Sequence, residues 1–157
     1  MPEVPSALQA EIKQTKPFRS RRQEALLGIL RTADMLRRRI SHMLEPFGIT
    51  PQQYNVLRIL RGAGDAGLPT LAIGERLIEE TPGMTRLLDR LEAKNLVRRV
   101  RCKQDRRQVL CHIAKDGMAL LAELDESMED ADTALGMLNR EQTETLISIL
   151  DGVRAGS

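Results

Sequence analysis

The chain has 157 residues, 41% of them hydrophobic and 29% charged, with a formal net charge of +2. That length suits one ordinary domain with a real core, and with aromatics at only 2% and no Trp the core must be filled by Leu, Ile, Met and Val. No apolar run approaches the roughly 18 residues a membrane helix needs, no charged-then-apolar leader is present, and two cysteines are too few for a disulfide framework; a cytoplasmic protein with reduced thiols and no membrane partner is expected.

Residues 1–19 hold Pro2, Pro5 and Pro17 and mixed charge without a clean period, which predicts a flexible or partner-draped arm. Order is expected from Ser20. Ser20 with Gln23 makes a capping-box pattern, and Leu26, Leu30, Ala33, Ile40, Met43, Leu44 and Phe47 recur along one side of a long helix that Gly48 stops. Thr50, Pro51 and Gln53 restart a second helix, carrying Tyr54, Leu57 and Leu60 inward until Gly62 and Gly64 break it. After a loop rich in Gly and Asp, Thr70 to Leu77 reads as a short helix with Leu71, Ala72 and Leu77 as its apolar positions. Ile78, Glu79 and Glu80 separate it from the next helix, an arrangement that predicts a helix-turn-helix. Glu79 and Glu80 are expected to face sideways or to pair with Arg76 or Arg86, since carboxylates near phosphate repel.

The third helix of this series is the most informative. Thr81 followed by Pro82 is a helix-start pattern, in which the threonine hydroxyl caps a free N–H and proline occupies the first turn. Met84, Leu87, Leu88 and Leu91 form one apolar face that must pack inward. Thr85, Arg86, Asp89 and Arg90 are left on the opposite face, with Pro82 and Gly83 at a tip where free N–H groups and the helix dipole favour phosphate. Asn95 is suited to the left-handed C-cap. Leu96 to Arg101 and Gln108 to Ile113 then read as two strands joined by the polar connection Lys103 to Arg107. From Thr81 to Arg107 nine Lys or Arg face three acids, a local excess far above that of the whole chain. Such concentration is the footprint of a polyanion partner, although a charge run of this kind can also simply solvate a surface hairpin.

Beyond the hairpin, Met118, Leu121, Leu124, Met128, Ala131 and Leu135 trace a long helix, and Asn139 with Gln142 caps a last one through Leu146, Leu150 and Val153. Nine acids and one base lie between Ala122 and Asp151, which sends this region to the far side from any duplex. The stretch from Glu11 to Arg39 is the reverse, with nine bases and three acids. These terminal helices exceed what a winged helix needs to close its core, so a dimer seam is their economical use, with an enlarged monomeric core as the alternative.

Rival chemistries find less support. Cys102, Cys111 and His112 are soft ligands on or beside one hairpin, but their spacing lacks a C-x-x-C or H-x-x-x-H signature, and strand alternation sends Cys111 and His112 to opposite faces. Cys111 reads as a small core residue. His42 and His112, the only histidines, belong to no Ser/His/Asp order, and no phosphate-cradling glycine loop or paired catalytic acid stands out. No enzyme activity, metal or cofactor is expected. A non-specific architectural DNA protein, or a cysteine-, redox- or metal-responsive regulator, remains an alternative reading.

The residues Thr81-Pro82-Gly83-Met84-Thr85-Arg86-Leu87-Leu88-Asp89-Arg90-Leu91-Glu92, with Asp105-Arg106-Arg107 followed by Val109-Leu110, give the chain a resemblance to the multiple antibiotic resistance regulator (MarR) family of bacterial transcription factors. The resemblance runs over roughly residues 24 to 153 and implies a mainly α fold with a small β-hairpin. It implies a winged helix-turn-helix over about 50–114 and dimerisation helices over about 20–47 and 115–153, within one domain spanning 20–157. In that family Arg107 would enter the minor groove, Asp105 would steady it and Arg106 would contact phosphate. Thr81, Pro82, Gly83, Thr85, Arg86 and Arg90 would lie at or near the major groove. The resemblance also implies a homodimer on a palindromic double-stranded DNA operator and repression relieved by a small molecule. Small aromatic acids in relatives lodge where Phe47, Tyr54 and His42 would lie, while a core role is the alternative for Phe47 and Tyr54; Arg38 and Arg39 would suit an anionic ligand or the dimer. The family often has Thr at the position of Ala114, and its peroxide-sensing branch has a first-helix cysteine that this chain lacks.

Overall fold

The computed structural model describes residues 6–105 and 107–156, with side chains throughout except at residues 129–132. Two compact units make up the chain, Met1–Ile40 and Ser41–Ser157, with the division inside a helix.

In the first unit order begins earlier than the proline-rich composition suggests. Ser6 caps a five-residue helix, α1 (Ala7–Glu11), its hydroxyl accepting the Gln9 N–H at 3.3 Å. Side-chain bonds from Ser6 and Arg21 hold the Glu24 carboxyl below the usual carboxylate range, and Glu11 pairs with Arg31 at 2.9 Å. The long helix α2 (Arg21–Leu44) starts as expected, with the Gln23 N–H donating to the Ser20 hydroxyl. Its capping box is displaced by one residue, because the Gln23 side chain accepts from Arg19 N–H, at 2.7 Å. Only Leu44 of α2 is fully buried; Leu26, Ile29, Leu30 and Met35 are 41–57% exposed.

In the second unit, Gly48 ends a short 3-10 turn (Glu45–Phe47) in the left-handed region, φ +67°. Helix α3 (Pro51–Ala63) then opens with a full capping box, Thr50 and Gln53 each satisfying the other's backbone N–H at 3.1–3.2 Å. It buries Tyr54, Val56, Leu57 and Leu60 and forms the centre of the core. Strand β1 (Leu68–Pro69) and helix α4 (Thr70–Gly74) follow. Here the inward residue is Ile73, fully buried, whereas Leu71 is 75% exposed; α4 ends at Gly74, before Leu77 can extend its face.

Helix α5 (Met84–Ala93) leads through Asn95 into β2 (Val97–Arg101) and β3 (Val109–Ile113). The two pair antiparallel from Val97 opposite Ile113 to Arg101 opposite Val109. The hairpin is not alone, because β1 adds to its free edge with Leu68 opposite Cys111, giving the order β1-β3-β2. Gly67 makes this third strand possible: its φ is +64°, and a Cβ there would stand 2.6 Å from His112 Cε1 and 2.8 Å from the Cys111 carbonyl oxygen.

Helix α6 (Lys115–Asp132) crosses back over the core with Leu121 and Leu124 fully buried. Arg61 of α3 makes a forked ion pair with Asp125, at 2.9–3.1 Å. Ala114 offers no capping side chain, and the acid in the first turn of α6 is Asp116, favourably placed for the helix dipole. A 3-10 turn (Thr133–Leu135) replaces the expected continuation of this helix. Helix α7 (Arg140–Ala155) begins with the expected Asn139/Gln142 capping box and has no buried residue.

Candidate nucleic-acid interface

Helix α5 has the two-sided character its sequence predicts. Leu88 and Leu91 are fully buried, while Thr85, Arg86, Asp89 and Arg90 are exposed. Its start differs from expectation. Pro82 and Gly83 form a turn, Gly83 takes the left-handed conformation at φ +87°, and Leu87 N–H bonds the Gly83 carbonyl, so the first helical residue is Met84. Thr81 does not cap the helix; its hydroxyl donates to the Glu79 carbonyl at 3.2 Å. The reason is local, because a Pro-Gly pair is suited to the centre of a turn whose third residue needs positive φ. Thr81, Pro82 and Gly83 therefore lie in the lead-in to α5, with Pro82 and Gly83 exposed and Thr81 half-buried.

Both ends of the helix are held. On the entry side the Asn55 side chain, projecting from α3, accepts the Ile78 N–H at 3.0 Å. On the exit side Asn95 is left-handed, φ +57°, and the Asn95 and Leu96 N–H groups bond the Glu92 and Leu91 carbonyls. That pair of bonds is a Schellman motif. The Lys94 ammonium also donates to the Gly48 carbonyl. Arg76, one of the two arginines offered as partners for Glu79 and Glu80 if these do not face sideways, donates to the Ala72 carbonyl at 2.6 Å.

The wing projects beyond the buried root of the sheet. Val97 and Cys111 are 2% and 1% exposed, whereas Val100 and Val109 are 40% and 39% exposed. At the tip, Cys102 N–H bonds the Gln108 carbonyl at 2.8 Å and Gln108 N–H bonds the Asp105 carbonyl at 2.9 Å. Asp105 also accepts the Arg107 backbone N–H at 3.0 Å, an Asx turn that shapes the loop around Arg107 through its main chain. Both side chains are exposed, and Arg106 lies outside the described residues.

A polar cluster not anticipated from the sequence joins helix and wing. Arg99 of β2 donates through Nε and Nη2 to Glu92, at 3.0 and 2.6 Å, and through Nη2 to Asp89 at 2.6 Å. Its backbone N–H also bonds Glu92, at 3.0 Å. The guanidinium holds the Glu92 carboxyl below the usual carboxylate range, so the acid is charged at neutral pH. Three of the charged residues between Thr81 and Arg107 thus satisfy one another. A signal exists in the spacing of Asp89 and Glu92, which places both acids on one helix face, but nothing in the sequence says that a strand arginine lies across from them.

The remaining candidates separate. Tyr54 is 9% exposed and its burial raises the hydroxyl pKa, with the Arg58 guanidinium 5.9 Å from the ring centroid. Phe47 is half-buried, and His42 is exposed beside Glu45, at 3.5 Å. Cys111 is buried, which pushes its thiol up to about 11 and keeps it protonated and unreactive at neutral pH. Cys102 is half-buried. Among the described residues no three His, Cys, Asp or Glu side chains form a group able to hold a metal ion, and no helix is long and apolar enough to cross a membrane.

A helix with an exposed polar face, preceded by a second short helix and followed by a basic antiparallel wing, defines a winged helix-turn-helix DNA-binding protein. Comparisons with known proteins specify the family. The MarR family model matches residues 49–109. A MarR transcription factor of known structure from Planctomyces limnophilus is 35% identical, with 85% of this chain and 98% of that one covered and a TM-score of 0.66. The HTH-type transcriptional regulator FarR of Neisseria gonorrhoeae is 27% identical over 135 residues, 85% of this chain and 91% of FarR. The fold is also that of S. aureus MepR in its DNA complex, with a TM-score of 0.75 at 23% identity over 85% of this chain and 97% of MepR. The chain belongs to the MarR family. It is a DNA-binding transcriptional regulator and not an enzyme.

Proposed function

We propose that this protein is a cytoplasmic homodimeric repressor that binds a palindromic operator and is released by a small aromatic or anionic effector. The observation that carries the dimer is the apolar surface of the terminal helices. On α2, Leu26, Ile29 and Leu30 are 41–57% exposed; on α7, Ile149 and Val153 are each 57% exposed and share one face with Leu146 and Leu150. Such stripes are covered economically by a second copy. The opposite charges of residues 11–39 and 122–151 favour the same association. In this reading residues 50–114 form the DNA-binding lobe, and about 20–47 and 115–153 supply the seam.

Each lobe of the dimer would then meet one half-site. Thr81, Pro82, Gly83, Thr85, Arg86 and Arg90 serve at or near the major groove, Arg107 enters the minor groove, Asp105 shapes its loop and Arg106 contacts phosphate. Arginine suits a narrow minor groove because negative potential is concentrated there. MepR, a protein of the same fold, forms a complex with DNA, which supports duplex DNA as the partner. The effector reading rests on His42, Phe47 and Tyr54, near in sequence at the end of α2 and the start of α3, and the burial of Tyr54 favours a core role for that residue.

Deleting residues 140–157 tests the seam. The expected result is a monomer by light scattering, with DNA affinity lowered on the order of 10²-fold because two linked half-site contacts become one. A truncated protein that remains dimeric contradicts the assignment.

A further inference from the structure

We infer that Arg99 is a positioning residue, clamping the wing to the recognition helix through Asp89 and Glu92 so that both DNA-reading elements engage one half-site in register. The inference rests on the assignment of α5 and Arg107 to the two grooves.

The clamp sits where packing gives out. Val97, at the root of β2, is buried, but Val100 and Val109, on the tip side, are about two-fifths exposed. Apolar contact therefore cannot fix the angle at which the outer hairpin leaves the core. Arg99 lies between these regions with its side chain 27% exposed, opposite Cys111 in the strand register. Glu92 takes both its backbone N–H and its guanidinium, and Asp89 takes the same Nη2 from one turn earlier on α5. A planar fork held by two carboxylates fixes direction as well as distance, which a single ion pair does not.

The leverage is large. From Arg99 to the turn is roughly five residues, or about 15 Å at strand rise, so a rotation of about 10° at the clamp moves the tip by roughly 3 Å. That is as large as a whole hydrogen-bond distance, enough to take Arg107 out of a groove while α5 remains seated.

A different role for the same residues makes an opposite prediction. If Asp89 and Glu92 merely place negative charge near DNA, amide replacements would tighten binding to every duplex and leave discrimination alone. The test uses the full-length protein, a duplex selected from a random library and a scrambled duplex of equal length and composition. For Asp89→Asn/Glu92→Gln, the expected result is a roughly tenfold fall in the ratio of selected to scrambled affinity, with the scrambled affinity unchanged or raised. An unchanged or higher ratio overturns the inference. Arg99→Met supplies the coupling: the loss caused by Arg107→Ala is expected to shrink to less than twofold in that background. Arg99→Lys, with charge but no fork, is expected to restore the ratio only in part. Independent, multiplicative effects of Arg99→Met and Arg107→Ala would remove the positioning role and leave the groove assignment standing. No effect of Arg107→Ala in the native background would remove the groove assignment, and the positioning role with it. Should Arg99→Met fail to fold by circular dichroism, the amide pair decides.

Discussion

Replacing Gly117 with alanine is expected to destabilise the protein by about 2–3 kcal/mol and to lower its Tm by about 5–10 °C. A Cβ at this position would stand 2.3 Å from the Leu96 carbonyl oxygen and 2.9 Å from Ile113 Cγ1. The first contact is with backbone, and the same oxygen already accepts the Ala114 N–H at 2.9 Å, so the clash cannot be relieved by turning a side chain. Either α6 lifts from the sheet or the turn after α5 moves. Alanine's better helix propensity offsets at most about 1 kcal/mol, so the clash prevails. Gly62 provides the control, since it lies in α3 and a Cβ there would meet nothing within 4 Å. At that position alanine is expected to stabilise by about 0.5–1 kcal/mol. Thermal melts of the two variants check the pair, and a Gly117→Ala protein as stable as the native one would contradict the packing described at the root of the wing.

Arg107→Ala is expected to weaken operator binding by about 1–3 kcal/mol, roughly 5- to 150-fold, while leaving the fold intact. Arg107 is exposed, and its one described hydrogen bond is made by the backbone N–H to Asp105, which alanine retains. The variant therefore separates loss of a groove contact from loss of the loop. Fluorescence anisotropy on a labelled operator measures the first, and an unchanged melting curve establishes the second. Native affinity in the folded variant would rule out the wing arginine as a reader.

Much of this surface is written in local chemistry. The inward leucines of α5 follow helical spacing, Asn95 tolerates the left-handed cap, and the Thr50/Gln53 and Asn139/Gln142 boxes are side chains bonding a backbone three residues away. Such features need no knowledge of the rest of the chain. The start of α5 is ambiguous at the same level, because Thr-Pro-Gly suits a capped helix and a turn alike; Gly83, by adopting positive φ, selects the turn.

What sequence could not reveal depends on distant partners. Strand β1 is two residues long and includes a proline, so it has no alternation to detect, and it exists because β3 offers a free edge beside Gly67. The Arg99 clamp unites residues from a helix and a strand, and it subtracts one base and two acids from what reads as a continuous basic run. Ile73, not Leu71, faces the core because the short α4 is set by its packing against neighbours, with too few turns to define a stripe by itself.

The most direct test is selection of bound sequences from a random duplex library by the purified full-length protein, repeated at two salt concentrations. A homodimeric, sequence-specific regulator predicts a palindromic consensus with half-sites about one helical turn apart, enriched at both salts. Enrichment of no sequence, with binding that simply fades as salt rises, would contradict that reading and indicate an architectural protein held by phosphate contacts alone.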